Sequence, residues 1–278
     1  MTRRLLILML SLVLFGCGSR FVYDNLDWFV LQYIDEFVEL NDQQEQLIKS
    51  SLNDSIEWHR GKEVPQYLAQ LKTIQLSDPR NVTDQFLLSQ ERQLREHSTR
   101  LLDKFYPAIV QLVAKLNDEQ AEQLMDAIRV KHIKVKSKYG SLDEQEIRDL
   151  YQQRIEENLT DWIGRLNTNQ KQLIEQWVAE LQVTTPLWLN YQTNLRIELK
   201  TILAQRTSSE KLEQGLHALL YNPEQYYGEP LASAVKHNKQ VGRKYMILMG
   251  RSMSEKQIEH WRDELQDWID IATDVEKP

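Results

Sequence analysis

Residues 82–116, VTDQFLLSQERQLREHSTRLLDKFYPAIVQLVAKL, decide the fold class of this chain. Their apolar residues recur every three or four positions, which is the spacing of one face of an α-helix. The residues predicted to face the core are Leu87, Leu94, Leu101, Phe105, Ile109 and Leu112. Thr83 is a candidate N-cap, and Pro107 is expected to bend or break the helix because it lacks a backbone N–H.

The same helical period runs through most of the chain after Asp24. No segment of the sequence shows the strict alternation of a half-buried strand. The 278 residues include only 9 Gly and 7 Pro, which is few for sandwiches, barrels and doubly wound folds because those folds need many turns. We therefore predict an all-α, irregular multi-helix bundle with one long loop at residues 222–230.

Four of the predicted helices begin with the same pattern, in which an Asn or Ser follows an apolar residue and precedes a Gln by three positions. The four copies are Leu40-Asn41-Asp42-Gln43-Gln44, Leu116-Asn117-Asp118-Glu119-Gln120, Leu166-Asn167-Thr168-Asn169-Gln170 and Met253-Ser254-Glu255-Lys256-Gln257. The Asn or Ser accepts a hydrogen bond from the first turn, and the Gln accepts one from the backbone N–H of the cap. The pattern predicts four capping boxes, and Ser141 with Glu144 predicts a fifth.

Two copies of this pattern resemble each other over a longer stretch. Residues 40–48 and 166–174 share six residues at the same relative positions. This match suggests an old duplication, with one half at residues 24–140 and the other at 141–275. No fixed period of 30 to 45 residues is present, so a regular solenoid is not expected. We expect both halves to lie in a single all-helical domain at residues 24–278.

The Leu-Asn-x-x-Gln pattern is similar to the Leu-Thr-x-x-Gln motif of Spy-like periplasmic chaperones, with Asn or Ser in place of Thr. Those chaperones are small all-α proteins that hold unfolded clients without ATP. The resemblance covers four short windows and implies a chaperone-like protein that binds unfolded clients. The alternative is that the pattern serves only to satisfy the N–H groups at the start of a helix.

The first seventeen residues have the pattern of an export signal. Arg3 and Arg4 precede the apolar segment 5–15, which is shorter than the roughly 20 residues that span a bilayer. The segment Leu14-Phe15-Gly16-Cys17 resembles the lipobox of bacterial lipoproteins. This resemblance implies that residues 1–16 are a signal peptide and that Cys17 is acylated at the mature N-terminus. The alternative is an ordinary signal peptide followed by an incidental Cys.

By the same resemblance, Gly18 after the lipidated Cys implies an outer-membrane location, because lipoproteins kept in the inner membrane typically carry Asp there. We expect a short tether at residues 17–23 and a body on the periplasmic face. The aromatic residues that follow Cys17, namely Phe21, Tyr23, Trp28 and Phe29, either form the first buried turn or rest in part in the membrane interface. The whole sequence also looks like an uncharacterised family of helical lipoproteins from Gram-negative bacteria, in which a similar aromatic segment follows the lipid Cys.

The sequence contains no motif that assigns a catalytic residue. Its Gly residues are scattered, no Gly-x-Ser-x-Gly elbow is present, and no two His stand four residues apart. We therefore expect no catalytic residues, no metal site and no cofactor. The 34 Lys and Arg are outnumbered by 41 Asp and Glu, giving a formal charge of -7, so a nucleic-acid partner is not expected.

One segment is strongly basic against this acidic background. Five cations lie within ten residues, namely Arg129, Lys131, Lys134, Lys136 and Lys138. One interpretation is a helix C-terminus, where cations offset the negative end of the helix dipole. The other is contact with an anionic surface, such as a lipid headgroup or an acidic partner, with Lys131, Lys134 and Lys138 on one helical face.

Aromatic residues supply the remaining candidates for binding. We expect most of the Trp side chains to be core residues, and we predict Trp58, Tyr226 and Tyr227 as exposed contacts for a partner or ligand. The leading hypothesis is a non-enzymatic, outer-membrane-anchored lipoprotein that presents a helical surface to an envelope protein or an unfolded client. The alternative is a carrier of a lipid or other apolar ligand between its helices, and the third hypothesis is an enzyme whose site is assembled from distant residues.

Overall fold

The computed structural model describes residues 22–277, and within this range it is all-α with no strand, as predicted. The helices are α1 (Leu26–Asp35), α2 (Asp42–Trp58), α3 (Val64–Leu76), α4 (Asp84–Ala114), α5 (Asp118–Tyr139), α6 (Glu144–Ile163), α7 (Thr168–Glu180), α8 (Thr185–Ala204), α9 (Ser209–Tyr221), α10 (Glu229–Arg251) and α11 (Glu255–Glu276). A π-helical turn, His59–Glu63, joins α2 to α3. Two 3₁₀ turns, Pro79–Asn81 and Pro223–Tyr226, precede α4 and α10.

The longest helix, α4, follows the sequence prediction closely. Thr83 is its N-cap and accepts a hydrogen bond from the backbone N–H of Phe86 at 3.2 Å. Pro107 lies inside the helix without breaking it. The prediction that Leu94 faces the core is wrong, since this side chain is 63% exposed and the buried residue of that turn is His97. The helical period identifies a face, whereas the neighbouring helices determine which turns of that face are covered.

The four predicted capping boxes are all present at the starts of α2, α5, α7 and α11. The fifth is shifted by two residues, because Asp143 rather than Ser141 is the N-cap and Glu146 completes the box. The reason is the end of α5, where the backbone N–H of Leu142 still bonds to the Tyr139 carbonyl. The residues up to Leu142 thus complete the turn that ends α5, and the N-cap of α6 can only follow them.

The Gln of each box also makes a contact that the local pattern does not contain. Gln44 and Gln120 exchange amide hydrogen bonds of 2.9 and 2.7 Å, and each also donates to a backbone carbonyl beside the other. Gln170 and Gln257 form the same arrangement, with amide bonds of 3.0 and 2.9 Å. All four side chains are buried. The repeated pattern thus caps four helices and also joins them in two pairs.

These glutamine pairs give the two halves of the chain the same internal plan. The first pair joins the starts of α2 and α5, and the second joins the starts of α7 and α11. The halves then cross, because α3 of the first half packs on α11 of the second and α8 of the second packs on α5 of the first. Each half therefore completes the other's packing.

Replacing Gln170 by Leu is expected to destabilise the fold by about 2 to 3 kcal/mol. The change leaves the buried amide of Gln257 and the backbone N–H of Asn167 without their partner, and an unsatisfied buried group costs roughly 1 to 3 kcal/mol. Urea unfolding measures the loss. Gln172→Leu, an exposed change on the same helix, is the control and should stay near wild type. A double Gln170→Leu/Gln257→Leu variant should lose less than the two single changes added together.

Candidate anion-binding groove

The two places where the halves cross are lined by different side chains. Between α3 and α11, Val64, Leu68 and Ile269 are buried in one apolar cluster. Between α5 and α8, apolar packing is present at one end, where Leu199 and Leu203 join the same core as residues 124 and 125. Beside this packing and beyond it, charged side chains line an open groove between the two antiparallel helices. This difference marks the α5–α8 groove as the candidate site.

The groove consists of two adjoining depressions of about 250 and 620 Å³, which share Arg129 and Arg196. It extends along α5 from Asp118 to Lys136, a distance of about 27 Å at the helical rise per residue. The charged residues that line it are Asp118, Glu122, Asp126, Arg129, Lys136, Arg196, Lys200 and Arg206. Cations therefore outnumber acids in the groove of a protein whose overall charge is negative.

Two of the groove cations are paired within the chain. Arg129 bonds to the Asp126 carboxylate at 3.1 Å, and Arg206 bonds to Asp118 and, at 2.7 Å, to a backbone carbonyl. The other three, Lys136, Arg196 and Lys200, form no ion pair with any part of the chain from residue 22 to 277. An anion that entered the groove would meet these three charges without first displacing an internal partner.

His132 is among the residues that line the narrower depression. Its Nδ1 is buried and has no hydrogen-bond partner among the described residues. Burial, and then the positive charge of Arg196, lower the pKa of His132. Buried polar atoms in folded proteins are nearly always paired, so this nitrogen is an exception among the described residues.

The five cations of the predicted basic segment lie in different surroundings in the structure. Arg129 and Lys136 line the groove. Lys131 points towards α1, where its Nζ lies 3.0 Å from the Glu36 carboxylate and 3.4 Å from the centre of the Phe37 ring. Lys134 is exposed outside the groove, and Lys138 lies at the helix end, 5.1 Å from the ring of the neighbouring tyrosine. The face predicted from Lys131, Lys134 and Lys138 is therefore not a single binding surface.

The sequence prediction missed the second wall of the groove. Arg196 and Lys200 come from α8 and lie four residues apart, which places them on one face of that helix. This spacing of two cations on one helical face was the signal in the sequence for a second basic wall. It could not identify α5 as the partner of α8, because the two helices belong to different halves of the chain.

The other predicted site residues lie away from the groove. Trp58 is half-buried with Lys104 Nζ 5.8 Å from its ring, and Tyr226 is half-buried in a 3₁₀ turn. Tyr227 packs against Trp188 and Tyr191, with ring centres 5.2 and 5.0 Å apart. The prediction that most Trp side chains belong to the core is wrong, since none of the seven is fully buried. Cys17 lies outside the described residues.

A second polar cluster, also missed from the sequence, lies under the π-helical turn. Glu63 ends this turn and is 1% exposed, and Arg100 binds both of its oxygens at 2.7 and 3.0 Å. His97 Nδ1 accepts from Arg100 at 2.6 Å, and its Nε2 contacts the side-chain oxygen of Gln70 at 2.8 Å. Burial, and then the charge of Arg100, lower the pKa of His97. Because these groups pair with one another, we interpret the cluster as structural.

From residue 22 to 277, no group of three or more His, Cys, Asp and Glu is arranged to hold a metal ion. Over that range, no helix has both the length and the apolar character needed to cross a membrane.

Comparison with known protein families matches residues 36–231, which is well over half of the chain. The matched range includes both helices of the groove, the Glu63–Arg100 pair and three of the four capping glutamines. Comparisons with curated proteins and with solved structures give no match. By the extent of the family match, the chain belongs to the family of unknown function DUF6279.

Proposed function

We propose that this chain is a non-enzymatic, lipid-anchored protein of the outer membrane that binds an acidic segment of a partner protein in the α5–α8 groove. The observation that carries the proposal is a set of three cations, Lys136, Arg196 and Lys200, that line the groove of an acidic protein and form no ion pair with the described residues. Charge complementarity of this kind selects the partner and speeds the encounter.

The shape of the groove favours a protein segment over a bilayer surface. A groove about 27 Å long between two helices accommodates an extended or helical segment. A flat bilayer surface would contact only the edges of this groove. Asp118, Glu122 and Asp126 lie at one end and would repel a uniformly anionic surface. Ile133 lines the other end and is 53% exposed, which suits a partner that carries apolar side chains between its acidic ones.

The start of the described chain supports a short tether. Tyr23 O–H lies 2.8 Å from His59 Nδ1, and Asp24 pairs with Arg60 at 3.0 Å. The folded body thus includes Tyr23, which was predicted to belong to the tether. If Cys17 is acylated, the five residues 17–21 span at most about 18 Å. The protein would then act within a short distance of the membrane.

Chemical crosslinking in cells, followed by purification and mass spectrometry, tests this function. The N-terminal peptide should begin at an acylated Cys17, and one dominant envelope protein with an acidic segment should be recovered. In the control, Cys17→Ser with the signal peptide retained, recovery of that protein should fall. An unmodified Cys17 would contradict the anchor. Recovery of lipid alone, or of many unrelated unfolded proteins, would contradict a dedicated acidic partner, and the second result would favour the chaperone-like form.

A further inference from the structure

We propose that the start of α1 and the π-helical turn beside it form a bilayer-facing surface, with the ring of Trp28 resting in the lipid headgroup layer. This surface comprises Tyr23, Trp28, Trp58, Gly61 and Lys62. The inference rests on the lipid anchor of the proposed function and names the part of the folded body that lies against the lipid. It also implies which part of the body stays open to a partner protein.

The described chain begins beside the π-helical turn. The Tyr23 O–H donates to the Ile56 carbonyl at 3.3 Å, and the Arg60 guanidinium lies 4.7 Å from the centre of the Tyr23 ring. These contacts hold the start of α1 against the end of α2. Only residues 17–21 separate this place from the anchor at Cys17, and they span at most about 18 Å. The anchor therefore keeps this end of the body next to the bilayer.

The side chains at this end suit the boundary between lipid and water. Trp28 is 57% exposed, because the opposite face of α1 is the one that joins the apolar core. Trp58 is half-buried, with the Lys104 ammonium 5.8 Å from its ring. Lys62 and Glu57 are exposed, so cations and acids are mixed here. Trp and Tyr rings concentrate at bilayer interfaces, and these rings, rather than net charge, provide the attraction to lipid.

The acidic residues of α1 favour its start over its end as the part in contact with lipid. Near the start, Asp24 forms an ion pair of 3.0 Å, and the Asp27 carboxylate accepts the backbone N–H of Trp28 at 2.8 Å. At and beyond the other end of the helix, Asp35 and Glu39 are exposed. A carboxylate that enters a lipid interface loses hydration, which costs free energy. The end of α1 is therefore expected to stay in water.

This orientation leaves the α5–α8 groove open to a partner. The end of α2 adjoins the bilayer-facing surface, whereas its start is joined to the start of α5 by the Gln44–Gln120 pair. The 17 residues of α2 make it about 25 Å long. Asp118, at the wider end of the groove, lies in the first turn of α5. The wider end of the groove thus lies one helix length from the surface that contacts lipid.

Lipid quenching of a fluorophore tests the surface in the full mature chain, acylated at Cys17 and reconstituted in phosphatidylcholine vesicles. The sequence has one Cys, and lipid blocks its thiol, so an introduced cysteine carries the only free thiol. Gly61→Cys places the fluorophore where a side chain meets open space. Leu76→Cys, at the far end of α3, is the control because Leu76 is 83% exposed.

We expect a quencher carried on the lipid to lower the emission from Gly61→Cys at least about twofold and to leave that from Leu76→Cys nearly unchanged. Equal quenching at the two positions would overturn the surface. No quenching at Gly61→Cys would also overturn it and would assign the exposed rings to a protein partner.

A Trp28→Ser change in the Gly61→Cys chain separates contact through the ring from tethering alone. It should weaken the quenching, because the ring no longer holds the turn against the headgroups. Trp162→Ser is the matched control, since it removes another exposed Trp, 38% exposed, from the end of α6, and it should leave the quenching unchanged. Undiminished quenching in the Trp28→Ser chain would overturn the role of the ring.

The outcomes separate this inference from the proposed function. If Gly61→Cys is quenched while no acidic partner is recovered from cells, the bilayer-facing surface stands and the groove proposal fails. If the partner is recovered while Gly61→Cys is not quenched, the groove proposal stands and this surface fails. An unmodified Cys17 would overturn the anchor and, with it, the surface.

Discussion

Reversing the charge of Lys136 and Arg196 together is expected to reduce recovery of the partner protein at least about tenfold. Both cations line the groove and form no ion pair with the described chain, so their replacement by Glu removes attraction without breaking an internal contact. Interfacial charge pairs of this kind have coupling energies of roughly 1.5 kcal/mol or more each. Recovery is measured after crosslinking in cells, with the melting temperature of the purified variant recorded alongside.

Lys134→Glu is the matched control for this experiment. It reverses one charge where the double variant reverses two, on the helix that carries Lys136, at an exposed position outside the groove. We expect its recovery of the partner to stay close to that of wild type. A loss from Lys134→Glu in proportion to its smaller change of charge would mean that only net charge matters. An undiminished yield from the Lys136→Glu/Arg196→Glu variant would exclude the groove as the binding site.

Glu63→Gln is expected to destabilise the fold by about 3 kcal/mol. The change removes the charge that pairs with Arg100 at a position that is only 1% exposed. Breaking a buried ion pair costs roughly 3 to 5 kcal/mol, and the lower end applies because about a third of the Arg100 side chain reaches water. Urea or thermal unfolding of the purified chain measures the effect.

An exposed ion pair provides the comparison. Glu255 pairs with Arg80 at 2.6 Å but its side chain is 86% exposed, so Glu255→Gln should cost less than about 1 kcal/mol. Similar small losses of unfolding free energy in both variants would show that the buried Glu63–Arg100 pair contributes little to stability. A severe loss in both would point to a general sensitivity to removing acidic residues.

The fold was predictable because its determinants are local. The helical period of residues 82–116 and the Asn or Ser caps with their Gln partners each lie within a few turns of chain. The π-helical turn at His59–Glu63 was not predictable, because these five polar residues carry no apolar spacing that indicates a type of helix. The glutamine pairs were also missed, because Gln44 and Gln120 meet only after the helices between them have packed.

The candidate site was predictable only in part. The sequence identified α5 as basic, yet it grouped Lys131 with the binding surface, and that side chain instead contacts Glu36 and Phe37. Which face of α5 lines the groove depends on the position of α8, and therefore on how the two halves cross. The burial of Glu63 depends in the same way on Arg100, which lies on a different helix. Both sites arise from contacts between distant segments.

Site-specific photo-crosslinking in living cells tests the central claim most directly. A photoreactive residue at Thr193, in the narrow part of the groove, is compared with one at Lys134 on the outer face of α5. We expect Thr193 to label one envelope protein within an acidic segment and Lys134 to label it weakly or not at all. Equal labelling from both positions, or labelling of lipid alone from Thr193, would contradict the account.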